Sequence, residues 1–144
     1  MRIQAMKTKI NYTEITPLSG FLFLWQFPQA LLGLLIYFIL KTEPIEYTND
    51  YTGMTVFWIP TKWNACWSLG PFIFAYPDAT RNILRHETGH SVQSLYLGPI
   101  YLLAVAIPSV FLFWWRRGFK KSHEWYKAHY PENWADNLGG VNKD

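Results

Sequence analysis

Two long stretches of the chain carry no charge. From Leu18 to Leu40 every residue is apolar or neutral and Lys41 closes the run; a second run extends from Leu97 to Trp115, followed by the basic cluster Arg116-Arg117-Gly118-Phe119-Lys120-Lys121. A helix that crosses a bilayer needs about 20 predominantly apolar residues, so both runs have the length of a membrane segment. A domain this small could hardly cover a helix that is apolar all round, which argues against a buried core helix. The first run is too long, and begins too far from the N-terminus, for a cleaved signal peptide. Pro28, flanked by Gln26 and Gln29, predicts a kink or a hairpin near its middle.

Between the runs the pattern changes. Glu43 to Asp50 reads as a polar linker with an acidic bias, and Asn49-Asp50 with Thr52-Gly53 carries turn chemistry. Two strands are predicted next: Thr55-Val56-Phe57-Trp58-Ile59, ended by Pro60, and Trp67 to Tyr76, interrupted by Gly70-Pro71. Asp78-Ala79-Thr80 supplies helix-start chemistry, and Ile83, Leu84, Val92 and Leu95 give a helix with an apolar face through about residue 97. Near the C-terminus, Pro131 suits a first helical position before Glu132, with Gly139-Gly140 as the stop.

Composition sharpens the apolar signal. Of 144 residues, 50% are hydrophobic and 19% aromatic, while 16% are charged, against roughly 25% charged in ordinary soluble domains. The length holds one ordinary domain. The net charge of +3 is small and shows no basic stripe on a nucleic-acid fold. A single cysteine, Cys66, excludes an internal disulfide.

Chemistry concentrates in His86-Glu87-Thr88-Gly89-His90. Side chains four apart lie one turn above each other on a helix, so His86 and His90 can turn ring nitrogens toward one metal ion. Glu87 then stands at the rim, where its carboxylate can hold a water and take its proton as general base. Gly89 between the two imidazoles suits the close approach of another backbone, and equally a plain helix glycine. Zinc with two His ligands needs a third protein group. The downstream candidates are His123, Glu124, His129, Glu132 and Asp136. His123 and His129 read as surface residues, with Tyr126 or His129 a candidate oxyanion donor. Glu132 and Asp136 share a helical face; one can ligate the metal and the other can accept the second ring N–H of a ligand His.

These residues resemble the gluzincin metallopeptidases, whose pattern is HExxH followed by a second helix bearing ExxxD. The resemblance makes His86 and His90 the two His ligands of Zn2+, Glu87 the general base, Glu132 the third ligand and Asp136 the partner of a ligand His. Residues from about Tyr76 to Val141, nearly half the chain, also look like the small HExxH domains at the C-termini of some Rhs-type polymorphic toxins. Gln93, Gly98-Pro99, Pro108-Ser109 and the Glu-x-x-Ala-Asp ending carry that likeness. Two features depart from it: the segment between the helices is unusually apolar, and no residue clearly matches the Tyr or His that stabilises the oxyanion in larger gluzincins.

A geometrical conflict constrains topology. If 97–115 crossed roughly 30 Å of hydrocarbon, His90 and Glu132 would lie on opposite sides, whereas ligands each lie about 2 Å from one ion. Pro108 therefore has to break the segment and return the chain on the same face. Arg2, Lys7 and Lys9 before the first run, and the Arg116 to Lys121 cluster after the second, both argue for the cytoplasmic side. A first run made re-entrant by Pro28 satisfies both.

The expectation is thus a mainly α fold with a short β-sheet: a minimal zincin-like metallopeptidase core with one or two membrane-embedded apolar segments. Residues 1–41 form an N-terminal membrane segment and 42–144 the metallopeptidase domain, with its apolar insert at 97–115. The function expected is that of a membrane-associated zinc endopeptidase with its site at the cytoplasmic face, acting on a peptide or protein substrate in contact with membrane lipid and not on nucleic acid. An immunity-type or other non-enzymatic membrane protein with a structural or vestigial metal site is the alternative. A protease with its motif inside the bilayer is opposed by Arg81 and Arg85, since charge at depth is expensive.

Overall fold

The computed structural model describes residues 17–141; Arg2, Lys7 and Lys9 lie outside them. The first apolar run is divided in two. Helix α1 spans Pro17–Trp25 and α2 spans Gln29–Leu40, ended by Lys41 in the left-handed region (φ 53°). Helices of nine and twelve residues extend only about 14 and 18 Å at 1.5 Å per residue, against about 30 Å of hydrocarbon. The polar residues at the break explain it. Gln26 and Gln29 are buried: Gln29 donates to Ser94 Oγ and to the Gly98 carbonyl, and Ser94 donates in turn to Gln26 Oε1.

Four strands follow, β1 (Ile45–Thr48), β2 (Thr55–Pro60), β3 (Trp67–Leu69) and β4 (Phe72–Ala75), in one sheet of order β1-β2-β4-β3. The turn at Gly70-Pro71 splits the second expected strand into the β3–β4 hairpin, with Gly70 at φ 60°. The stretch read as a polar linker supplies β1, which pairs antiparallel with β2 from Ile45 opposite Trp58 to Thr48 opposite Thr55. β4 runs parallel to β2 and every one of its residues is buried. A strand covered on both faces reads as a continuous apolar run, as Phe-Ile-Phe-Ala does.

Alternation along the strands separates two apolar clusters. Val56, Ile73 and Ala75 face helix α3 (Arg81–Leu97) and pack with its Leu84. Ile59, Phe72 and Phe74 face the other way and pack with Phe23 of α1 and Leu34 and Tyr37 of α2. The first apolar run therefore has a sheet to cover.

After α3 the second run is also divided, into a 3₁₀ turn at Gly98–Ile100, a π-helical turn at Leu102–Ala106 and helix α4 at Ile107–Gly118. Helices α5 (His123–Lys127) and α6 (Glu132–Gly139) complete the chain. This mixed α/β architecture with a four-stranded sheet corrects the expectation of a mainly α fold with membrane-embedded segments. Among the described residues no helix is long and apolar enough to cross a membrane. The same finding corrects the expected integral membrane localisation.

α3 begins at Thr80, whose Oγ1 accepts the Ile83 N–H at 3.4 Å. Its buried face is less apolar than expected: His86, Glu87, Thr88, His90, Ser91, Gln93 and Ser94 are all buried, whereas Ile83, Val92 and Leu95 are only partly so. The reason is α6, which crosses α3 at backbone contact. A Cβ on Gly89 would collide with the Ala135 backbone, and one on Gly139 with the Arg85 carbonyl. Asn49 Nδ2 donates to the Gly139 carbonyl, and Arg85 ties the Gly140 carbonyl to Asp50, fixing the C-terminal end of α6.

Ala normally gains about 1 kcal/mol over Gly inside a helix, so the crossing can be tested by sign. Gly118→Ala, where an added methyl meets nothing within 4 Å, should be neutral or raise Tm. Gly89→Ala should lower Tm, losing about 1–3 kcal/mol as an overpacked contact does. Equal Tm values for the two variants would count against the crossing.

Candidate metal centre

The α3–α6 crossing places Glu132, the first residue of α6, against the two imidazoles of α3. Glu132 Oε2 lies 3.0 Å from His86 Nε2 and 3.3 Å from His90 Nε2. The imidazole rings meet edge to face with centroids 4.8 Å apart. One ligand atom from each of His86, His90 and Glu132 lies within 4.8 Å of the others, and all three residues are buried. Bonds of about 2.0–2.1 Å in tetrahedral array give donor separations of about 3.3–3.4 Å. Two nitrogens and one oxygen so disposed could hold a metal ion.

The residues behind the donors fit that role. His86 Nδ1 lies 2.6 Å from Asp136 Oδ1, and His90 Nδ1 lies 2.7 Å from Gln93 Oε1. Each acceptor fixes the proton on Nδ1 and leaves the Nε2 lone pair for a cation. Gln93 Nε2 donates to the Pro131 carbonyl at 3.0 Å, joining the His90 support to the start of α6. The other carboxylate oxygen of Glu132 accepts from Ser109 Oγ, itself 3.4 Å from the Tyr126 hydroxyl.

Electrostatics match the geometry. Burial works against the charged form of His86, but hydrogen bonds to Asp136 and Glu132 outweigh it and raise the imidazole pKa to about 10. Burial would likewise raise Glu132, yet hydrogen bonds from His86 and His90 hold its carboxyl well below the usual range. Both shifts have one cause, the attraction between the imidazoles and the carboxylates that face them.

A cleft of about 180 Å³ opens beside these donors, lined by Glu87, Ser68, Tyr101, Ala106, Val110 and Tyr126 among others. Ser68 Oγ donates to Glu87 Oε2 at 2.9 Å and lies 3.0 Å from the Glu87 carbonyl, so β3 anchors this carboxylate. Burial pushes the Tyr126 phenol above its ordinary range, and Glu132 adds to it. Burial and Glu87 push the Cys66 thiol, also in the cleft wall, up to about 11.

All five residues singled out in the sequence, His86, Glu87, His90, Glu132 and Asp136, meet here. His123 and His129 are exposed: His123 contacts Arg116, and His129 Nδ1 faces the Trp125 carbonyl at 2.6 Å. Of the two candidate oxyanion donors, Tyr126 lines the cleft and His129 does not. Ser68, Tyr101 and the support roles of Ser109 and Gln93 escaped sequence reasoning. Single hydroxyls and amides carry no spacing signal of their own, although Gln93 and Ser109 fall within the segments that suggested the family resemblance. No protein-family model matches the chain, and comparison with curated proteins and with solved structures finds no match.

Two predictions follow from the donors' supports. Removing the carboxylate that orients His86, in Asp136→Ala, should weaken metal binding about 10–100-fold, read by competition with a chromophoric chelator. The proton on His86 has to leave when Nε2 takes a metal ion. With the imidazole at about 10 in the metal-free protein, affinity should rise with pH between 6.5 and 10, with about one proton released per ion bound. Calorimetry in two buffers of different ionisation enthalpy measures that release; pH-independent binding would contradict the His86 assignment.

Proposed function

We propose that the chain is a zinc-dependent endopeptidase. The observation that carries this reading is the position of Glu87: a carboxylate in the cleft wall, next in sequence to a metal-donor His, with one oxygen held by Ser68 of β3. Two imidazoles and one carboxylate in a compact buried set suit zinc, and three protein donors leave a further position for water, as in catalytic sites. When bound, such an ion supplies a Lewis acid for the scissile carbonyl and lowers the pKa of a coordinated water from 15.7 to about 7.

The chain's own residues supply the rest. Glu87 accepts the proton of the attacking water and passes it to the leaving amine, as a general base and then a general acid. The Ser68 hydrogen bond occupies Oε2, so the other carboxylate oxygen is the one that serves the water. Asp136 and Gln93 keep both imidazoles in the tautomer that aims Nε2 inward. Tyr126, held protonated by burial, lines the same cleft wall. β3 is the terminal strand of the sheet beside the cleft, and an extended peptide can align there through main-chain hydrogen bonds without many side-chain contacts.

The test is Glu87→Gln, which keeps shape and removes the base. Purified wild-type protein loaded with zinc should cleave unstructured peptides, followed by mass spectrometry. The variant should retain one zinc per chain while its rate falls by about 10²-fold or more. Equal rates in both would take Glu87 out of the chemistry. Stoichiometric zinc in a wild-type protein that cleaves no peptide would instead favour a structural metal site.

A further inference from the structure

We propose that Ser109 is a positioning residue of the metal centre, engaging one oxygen of Glu132 so that the carboxylate meets a metal ion through the other oxygen alone. The two oxygens of Glu132 have different surroundings. Oε2 faces His86 Nε2 and His90 Nε2 at 3.0 and 3.3 Å, while Oε1 accepts the Ser109 hydroxyl hydrogen. The Ser109 oxygen can in turn accept from Tyr126, whose hydroxyl is 3.4 Å away. The chain of donors runs from Tyr126 through Ser109 to Glu132, and all three residues line the same cleft.

The backbone explains how a segment so apolar delivers a serine there. Tyr101 and Val105 are buried on the inner side of this segment. The π-helical turn at Leu102–Ala106 adds a residue to the helical circuit before α4 begins. Ser109 follows in the first turn of α4 on the cleft side, while Phe111, Trp114 and Trp115 are exposed. Single π turns of this kind recur at functional sites because they re-aim the side chains that follow.

The consequence is chemical. A free carboxylate can chelate with both oxygens and fill two positions around an ion. One oxygen tied to a hydroxyl leaves the carboxylate monodentate, and a position stays open to water, as a catalytic zinc site requires. This inference rests on the metal centre and is independent of whether the chain cleaves peptides.

Cobalt(II) tests it, because its visible ligand-field bands report coordination number. Wild-type protein, Ser109→Ala, Ser109→Thr and Tyr126→Phe would each be titrated with cobalt, with affinity read by chelator competition. Ser109→Ala should bind about tenfold or more weakly, with bands shifted and weakened as the second carboxylate oxygen enters the coordination sphere. Ser109→Thr, which keeps the hydroxyl, should restore both. Tyr126→Phe should shift the bands in the same direction by less, and decides the matter if Ser109→Ala does not fold. A wild-type spectrum in both Ser109→Ala and Tyr126→Phe would overturn the proposal. So would a loss of affinity with unchanged bands that threonine does not rescue, which marks a merely structural contact. Failure of the wild-type protein to bind cobalt would overturn the metal centre itself.

Discussion

A carboxylate with no exposure to solvent has to be compensated by positive charge and hydrogen bonds, and Glu132 is such a group. Its two oxygens are met by the two imidazoles of α3 and by a hydroxyl of α4. α6, which carries it, is only eight residues long, too short to be stable alone. Its position is therefore set by what it docks on. Gly89 and Gly139 let the α3 and α6 backbones touch, and Asn49 and Arg85 hold the far end. Loosening the crossing would leave the buried charge unpaired, so the packing of α6 and the electrostatics of the centre form one constraint.

The layers around this pair follow from the same need. The sheet separates α3 from α1 and α2, with one apolar face turned to each. One end of α3 is tied to the break between α1 and α2 through Gln29, Ser94 and Gln26, and Trp25 Nε1 donates to the Leu95 carbonyl at 2.8 Å. At the other side the segment from Tyr101 to Val110 forms the opposing wall of the cleft. A site walled by Tyr101, Ala106, Val110 and Leu69 has a lower effective dielectric than water, which strengthens every charge interaction in it. The raised His86 and lowered Glu132 pKa values express that coupling.

Much of the centre was legible because its geometry is local. Two His four apart, a Glu between them, and a Glu and Asp four apart behind Pro131 are spacings that a helix converts directly into faces. The bounds of α3 and α6 followed from Thr80, Pro131 and Gly140 for the same reason. Gly89, open to two explanations in the sequence, is explained by close backbone approach. What misled was composition. Leu18 to Leu40 and Leu97 to Trp115 carry no charge, and hydropathy alone does not say whether such a run meets lipid or a second apolar layer. The uncharged polar residues inside them mark where the runs break or turn inward: Gln26 and Gln29 stand at the break between α1 and α2 and bind α3, and Ser109 reaches a carboxylate. β1 was lost because its Ile45-Glu46-Tyr47-Thr48 alternation lasts only four residues and runs into turn signals.

The burial of α3 shows where stability and chemistry meet. An ordinary packed helix buries aliphatic side chains; this one buries a run of polar ones, and each has to be satisfied to be tolerated. Thr88 and Ser91 hydroxyls return to the Leu84 and Glu87 carbonyls, Ser94 reaches Gln26, Gln93 bridges His90 to Pro131, and Ser68 holds Glu87 from the sheet. None of these bonds adds apolar burial. Together they leave His86, His90 and Glu87 few alternative rotamers, and side chains held by packing and hydrogen bonds keep their geometry when charge changes nearby. The buried apolar core lies outside this polar centre, in β2, β4 and the helices that cover the sheet. That division lets one small domain carry a rigid, charged interior without losing its core.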